Sequence, residues 1–135
     1  MEDIVNKKNA DAVIKVAEFI DELKGINTVV LDLTSYNGWT DFFIITTVSS
    51  ITHLRGIYSD IQEILDKLSI EPLFRHKKIN NENWVLIDCG YFVIHLLDKE
   101  HREFYDLEKL WFNGKILFQS KGSDGREGLQ KQKSD

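Results

Sequence analysis

Cysteine is nearly missing from this chain. Cys89 is the only one in 135 residues, so no internal disulfide can form and no cysteine-built zinc site can exist. A reducing, cytoplasmic setting is the expectation. Proline occurs once and glycine eight times, which excludes collagen-like and Pro-rich linker architectures. Basic charge is not in excess either: 22 acidic side chains against 17 basic ones leave a net charge of −5. A protein that grips nucleic acid broadly through its phosphates needs a dense basic face instead. The longest apolar stretches, such as Phe42 to Ile45, are far too short to span a bilayer, so no membrane partner is expected. The opening MEDIVNKKNA has no apolar core and the first arginine is Arg55. Neither a secretory signal nor an Arg-rich transit peptide is expected.

What is present is an ordinary globular balance, 42% apolar and 29% charged. The length suits one domain, large enough to bury a core without a disulfide or metal staple. From Asn9 to Leu23 the residues Val13, Val16, Ala17, Ile20 and Leu23 recur at helical spacing. Asn9 is the expected N-cap and Gly25 the stop. Ile26 to Leu33 reads as a strand, and Thr34 to Gly38 as a loop. Asp41 to Val48 reads as a central strand, because Phe42, Phe43, Ile44 and Ile45 are apolar on both faces. Ser49-Ser50 offers a cap for an amphipathic helix carrying Leu54, Ile57, Ile61, Ile64, Leu65 and Leu68 on one face.

Beyond Pro72, Leu73 to Lys78 reads as a short strand and Asn80 to Asn83 as a polar turn. Trp84 to Asp88 and Tyr91 to Leu97 read as two strands joined at Cys89-Gly90. Asp98 to Leu110 reads as a helix with Phe104, Leu107 and Leu110 on its packed face. After an Asn113-Gly114 turn come Ile116, Leu117 and Phe118. The order, α-β-β-α-β-β-β-α, predicts an α/β (α+β) fold with a mixed sheet of about five strands flanked by helices. Residues 1–118 form the expected domain. Residues 119–135 hold one large apolar residue, Leu129, and read as a disordered polar tail.

Catalytic kits are hard to find. The histidines His53, His76, His95 and His101 lack the H-E-x-x-H pattern, and solvated or core roles suit them better than metal ligation. Ser49, Ser50 and His53 lie close in sequence without a G-x-S-x-G elbow, so capping is the expected role. Asp88 beside Cys89 would raise a thiol pKa, which argues against a reactive cysteine. No glycine-rich phosphate loop exists. Asp32, Asp41 and Asp88 supply one carboxylate per strand with no D-x-D pair. A magnesium-dependent nucleotidyltransferase built on those three is the enzymatic alternative. What remains is surface. Trp84 lies between Glu82 and Asp88, and Tyr91 follows a tight turn. A strand-end tryptophan among acids is either an anchor for a basic protein partner or plain core.

Two segments carry a sharper signal: Gly38 to Ile61, GWTDFFIITTVSSITHLRGIYSDI, and Trp84 to Trp111, WVLIDCGYFVIHLLDKEHREFYDLEKLW. Trp84, Asp88, Gly90 and His95 stand in fixed order. Arg102, Tyr105, Leu107, Glu108, Leu110 and Trp111 follow, and Thr40-Asp41-Phe42 with Ser50 and His53 precede. From about residue 10 to 112 the chain resembles the ribosomal silencing factor family, also called RsfS or Iojap. The resemblance implies a nucleotidyltransferase-like fold without the catalytic carboxylate pair, no enzymatic activity and no cofactor. It implies binding to the large ribosomal subunit, chiefly through universal large-subunit protein fourteen and only peripherally through ribosomal RNA, so that joining of the small subunit is blocked. A role late in subunit assembly is the non-blocking alternative. It also implies that Trp84 faces the ribosome, which makes the hairpin from Trp84 through Asp88 and Cys89 to Tyr91 the expected partner-binding surface, with the acids Glu82, Asp88 and Asp41 there to pair with a basic partner. Val48 stands where relatives often have glycine, which implies a differently shaped loop there. Pairing of two free copies through exposed sheet residues is a further possibility.

Overall fold

The computed structural model describes residues 2–36, 38, 40–73, 84–106, 109 and 115–120. Among the described residues three helices and five strands form in the order α1 (Glu2–Glu22), β1 (Ile26–Asp32), β2 (Phe42–Thr47), α2 (Ile51–Lys67), β3 (Trp84–Asp88), β4 (Phe92–Leu97), α3 (Lys99–Tyr105) and β5 (Lys115–Gln119). A single turn of 3-10 helix, Thr34–Tyr36, joins β1 to β2. The sheet runs β3-β4-β2-β1-β5, with β2 and β4 parallel and every other pair antiparallel. This is the mixed sheet flanked by helices that the sequence predicts. No described helix is long and apolar enough to cross a membrane.

The apolar run of β2 places it in the middle of the sheet, and all six of its residues are buried. Alternation sends Phe42 and Ile44 to one face and Phe43 and Ile45 to the other. The first face packs under α1 and α2, whose Val13, Val16, Ile20, Leu54, Ile57, Ile61 and Leu65 complete the main core. Each such aliphatic side chain contributes roughly 2 kcal/mol by leaving water. The second face gathers Val29, Leu31, Leu33, Phe43, Ile45, Val93 and Leu97 into a smaller cluster, against which Trp84 packs. Ser50 caps α2 as expected, its side chain accepting the His53 N–H at 3.0 Å.

Several boundaries differ from the sequence reading. α1 begins at Glu2, so Asn9 lies inside it and caps nothing. Its first turns leave Ile4 and Val5 more than half exposed, and helix without a buried stripe shows no apolar period. The left-handed residue that ends α1 is Lys24, with φ 77°, not Gly25. Gly25 N donates to Ile20 O at 3.0 Å and Lys24 N to Asp21 O at 3.1 Å, the two bonds of a Schellman motif. The hairpin loop is Gly90-Tyr91 rather than Cys89-Gly90. Cys89 N still donates across it to Phe92 O at 2.9 Å, and Gly90 takes φ 92°.

α3 ends at Tyr105, where Asp106 turns left-handed at φ 48°. Phe104 is 80% exposed rather than packed. The body-facing side of α3 is set by Arg102, whose Nη1 donates to Thr47 Oγ1 at 3.0 Å. Two residues on, Phe104 is turned away by roughly 200°. β5 runs to Gln119, and Ser120 exchanges hydrogen bonds with Thr28. The strand read at 73–78 falls outside the described residues, save for Leu73 at a bend. So do the turn at 80–83 and residues 121–135.

Candidate docking row on the edge strand

Among the described residues β3 is an edge strand of the sheet, and its side chains alternate. Val85 and Ile87 point into the main core. Trp84, Leu86 and Asp88 therefore share the opposite face, with Trp84 half-buried, Leu86 37% exposed and Asp88 partly open. One row thus presents a flat aromatic, an aliphatic and a carboxylate along about 13 Å of strand. Such a row offers apolar contact area with a charge at one end, suited to a basic protein surface.

Beneath the row lies His95, which faces Leu86 in the β3–β4 register. It is 3% exposed. Its ring meets Phe43 edge-on at 4.4 Å and Trp84 at 6.0 Å with a 45° tilt. The Trp84 indole Nε1–H donates to His95 Nδ1 at 3.2 Å. Burial pushes the imidazole down to about 3, so it is neutral. With Nδ1 accepting, the ring proton sits on Nε2. That Nε2–H is buried without a partner among the described residues. An orphaned buried donor costs about 1–3 kcal/mol.

The other expected site residues gather at the far end of β3. Asp88 Oδ1 accepts the Gly90 N–H at 2.9 Å and its carbonyl accepts the Leu73 N–H at 2.7 Å. Asp41, also partly open, is tied through its backbone to Tyr91 O at 3.1 Å, and Thr40 Oγ1 donates to Gly90 O at 3.1 Å. Cys89 is buried in the main core and Tyr91 leans on the same cluster. Both turn away from the Trp84 face. Burial, with Asp88 adding to it, pushes the Cys89 thiol up to about 12. Burial, then the neighbouring Cys89, raises the Tyr91 phenol. Trp84 pairs instead with Leu97, at the opposite end of the hairpin. Of the six expected residues, Trp84 and Asp88 thus share the row, Asp41 lies near its acidic end, and Cys89 and Tyr91 belong to the core side. Glu82 lies outside the described residues.

Sequence reasoning missed two members. Leu86 was legible in the alternation of W-V-L-I-D. His95 was not, because its place under Trp84 depends on strand register.

The remaining polar clusters read as local structure. Ser49 N donates to His53 Nδ1 at 2.9 Å and Ser49 Oγ lies 3.1 Å from the same nitrogen, beside the Ser50 cap. His101 Nδ1 lies 2.7 Å from Asp98 Oδ1, which also accepts the His101 N–H at the cap of α3. Asp32 Oδ1 accepts the Thr34 N–H at 2.9 Å and its hydroxyl at 2.6 Å. The register brings Asp32, Asp41 and Asp88 to one end of the sheet. Yet among the described residues no three His, Cys, Asp or Glu side chains converge enough to hold a metal. An open groove of about 1100 Å³ lies between α3 and the ends of β1, β2 and β5. Its α3 wall mixes Asp98, Glu100, Glu103 and Asp106 with Lys99 and Arg102, and it contains none of the row.

Comparison with known proteins adds to this geometry. A family profile described as "Ribosomal silencing factor during starvation" (RsfS) matches residues 6–135. The ribosomal silencing factor RsfS of Treponema pallidum is 30% identical over 97 residues, spanning 71% of this chain and 86% of that protein. The Mus musculus protein named mitochondrial assembly of ribosomal large subunit protein 1 is 33% identical over 75 residues, 54% of this chain and 33% of its own length. An X-ray structure of a Chromobacterium violaceum protein superposes with a TM-score of 0.68 at 24% identity, covering 86% of this chain and 96% of that one. That last likeness is one of fold.

Proposed function

The chain belongs to the ribosomal silencing factor family, and on that premise we propose that it docks its β3 row on the large ribosomal subunit and keeps the small subunit from joining. The partner surface we assign is a basic ribosomal protein, universal large-subunit protein fourteen, with ribosomal RNA only at the periphery. The observation that carries this reading is the row itself: Trp84 and Leu86 stand partly open on one face of β3, with Asp88 at one end. A rigid aromatic loses little entropy on docking, and a carboxylate at the rim pairs with lysine or arginine. Such a block requires occupancy rather than catalysis. About 800 Å² buried on each partner, released slowly, is enough to exclude a competing surface.

Light scattering of purified small and large subunits at fixed magnesium tests this. Added protein lowers joining, and Trp84→Ala relieves the block while the variant stays folded. Joining unchanged by saturating protein overturns the blocking role. A second reading, a non-blocking partner in large-subunit assembly, is favoured by the name of the mouse relative. It predicts binding to the large subunit with joining unaffected.

A further inference from the structure

We propose that His95 is a positioning residue of the docking row, fixing the Trp84 indole in the orientation in which it meets the ribosomal partner; this rests on the row being the docking surface. A half-buried tryptophan at the end of a strand has packing from one side and solvent on the other. It has several rotamers to choose from, and ordering it at the moment of binding weakens affinity. Here the indole Nε1–H donates to His95 Nδ1 at 3.2 Å, and the two rings lie 6.0 Å apart. His95 is itself enclosed: it is 3% exposed and packed edge-on against Phe43 at 4.4 Å, in the middle of β4.

The choice of residue is informative. β4 is buried throughout, and its other residues are Phe92, Val93, Ile94, Leu96 and Leu97. A further aliphatic or aromatic side chain would fill the His95 site without leaving a buried donor, yet Nε2–H is left unpartnered among the described residues. Packing alone therefore does not account for an imidazole there. An acceptor at Nδ1, aimed at the one indole on the row, does. Phenylalanine in its place keeps the ring volume and removes the acceptor. Asparagine loses volume but sets Oδ1 close to the place of Nδ1.

The test uses the full chain, ¹⁵N-labelled, with purified large subunits as the probe. In the wild type, nitrogen shifts of His95 report the Nε2–H tautomer, and the Trp84 indole proton, assigned through Trp84→Phe, exchanges slowly. An Nδ1–H tautomer overturns the proposal without recourse to any variant. In binding, His95→Phe weakens affinity roughly fivefold, the worth of one neutral hydrogen bond. His95→Asn recovers most of that loss despite its smaller volume. Adding His95→Phe to Trp84→Ala changes nothing further, because the two act through one contact. If folded His95→Phe binds as the wild type does, or if its effect adds in full to that of Trp84→Ala, His95 is only packing and the inference fails. In that case the docking reading survives on Trp84→Ala alone. If Trp84→Ala binds as the wild type does, the docking reading fails and takes the inference with it.

Discussion

Burying His95 withholds a proton that the unfolded chain takes up readily. An exposed histidine titrates near 6.5, while burial holds this one neutral down to about 3. Above about pH 6.5 both states are neutral at this residue, so it adds no pH dependence. Between about 6.5 and 3 the unfolded state binds the extra proton, and stability falls as pH falls. The slope from this one group is roughly 1 kcal/mol per pH unit at its steepest. Urea midpoints of wild type and His95→Phe at pH 7, 6, 5 and 4 isolate it, since all other titrating groups are common to both proteins. The wild type is expected to lose stability faster than the variant over that range. A constant difference would mean that His95 titrates as an exposed residue and does not sit under Trp84 as described.

Elements show a division of labour that single residues do not. At the α1–β1 junction, Lys24 takes the left-handed turn and Gly25 provides room. A Cβ on Gly25 would lie 2.6 Å from Thr46 Oγ1 and 2.8 Å from Ile20 Cγ2. Thr46 cannot yield easily, because its hydroxyl is buried against Thr28 Oγ1 at 2.7 Å. Gly25→Ala is therefore expected to cost about 1–3 kcal/mol, as overpacking does. Lys24→Gly, which relieves a strained backbone, is expected to be neutral or to stabilise by up to about 1 kcal/mol. Chemical denaturation of the two variants checks both signs, and a neutral Gly25→Ala would remove the steric argument.

The same junction shows what was legible in the sequence. Glycine after an apolar period marks the end of a helix correctly, but which residue turns and which makes room depends on what packs there. α2 was legible along its length because one face is buried throughout. The first turns of α1 were not, because they bury nothing that would impose a period. The sequence carries the expected helix past the end of α3 because the left-handed Asp106 has no signal as strong as glycine. The row on β3 was half legible. Alternation gives its face and Trp84 and Asp88 their places on it, while Cys89 and Tyr91, next to them along the chain, are sent to the opposite face by the end of the strand and the turn.

At the scale of the whole molecule, the net charge of −5 bears on how the protein finds its partner. A large subunit presents ribosomal RNA, which repels this chain, and basic proteins, which attract it. If a basic protein receives the row, local attraction outweighs the distant RNA, because salt screens charges beyond about 8 Å at physiological ionic strength. Association with purified large subunits then slows as monovalent salt rises at fixed magnesium, while dissociation changes little. Asp88→Asn sharpens the test, since its side-chain oxygen can still accept the Gly90 N–H that closes the turn. Stopped-flow binding of that variant is expected to show an on-rate about two- to threefold lower, with a shallower salt dependence. The opposite outcome, association that quickens with salt, means that RNA repulsion governs the encounter. The acidic end of the row would then lie against RNA or solvent, and a basic protein would no longer fit as the receiving surface.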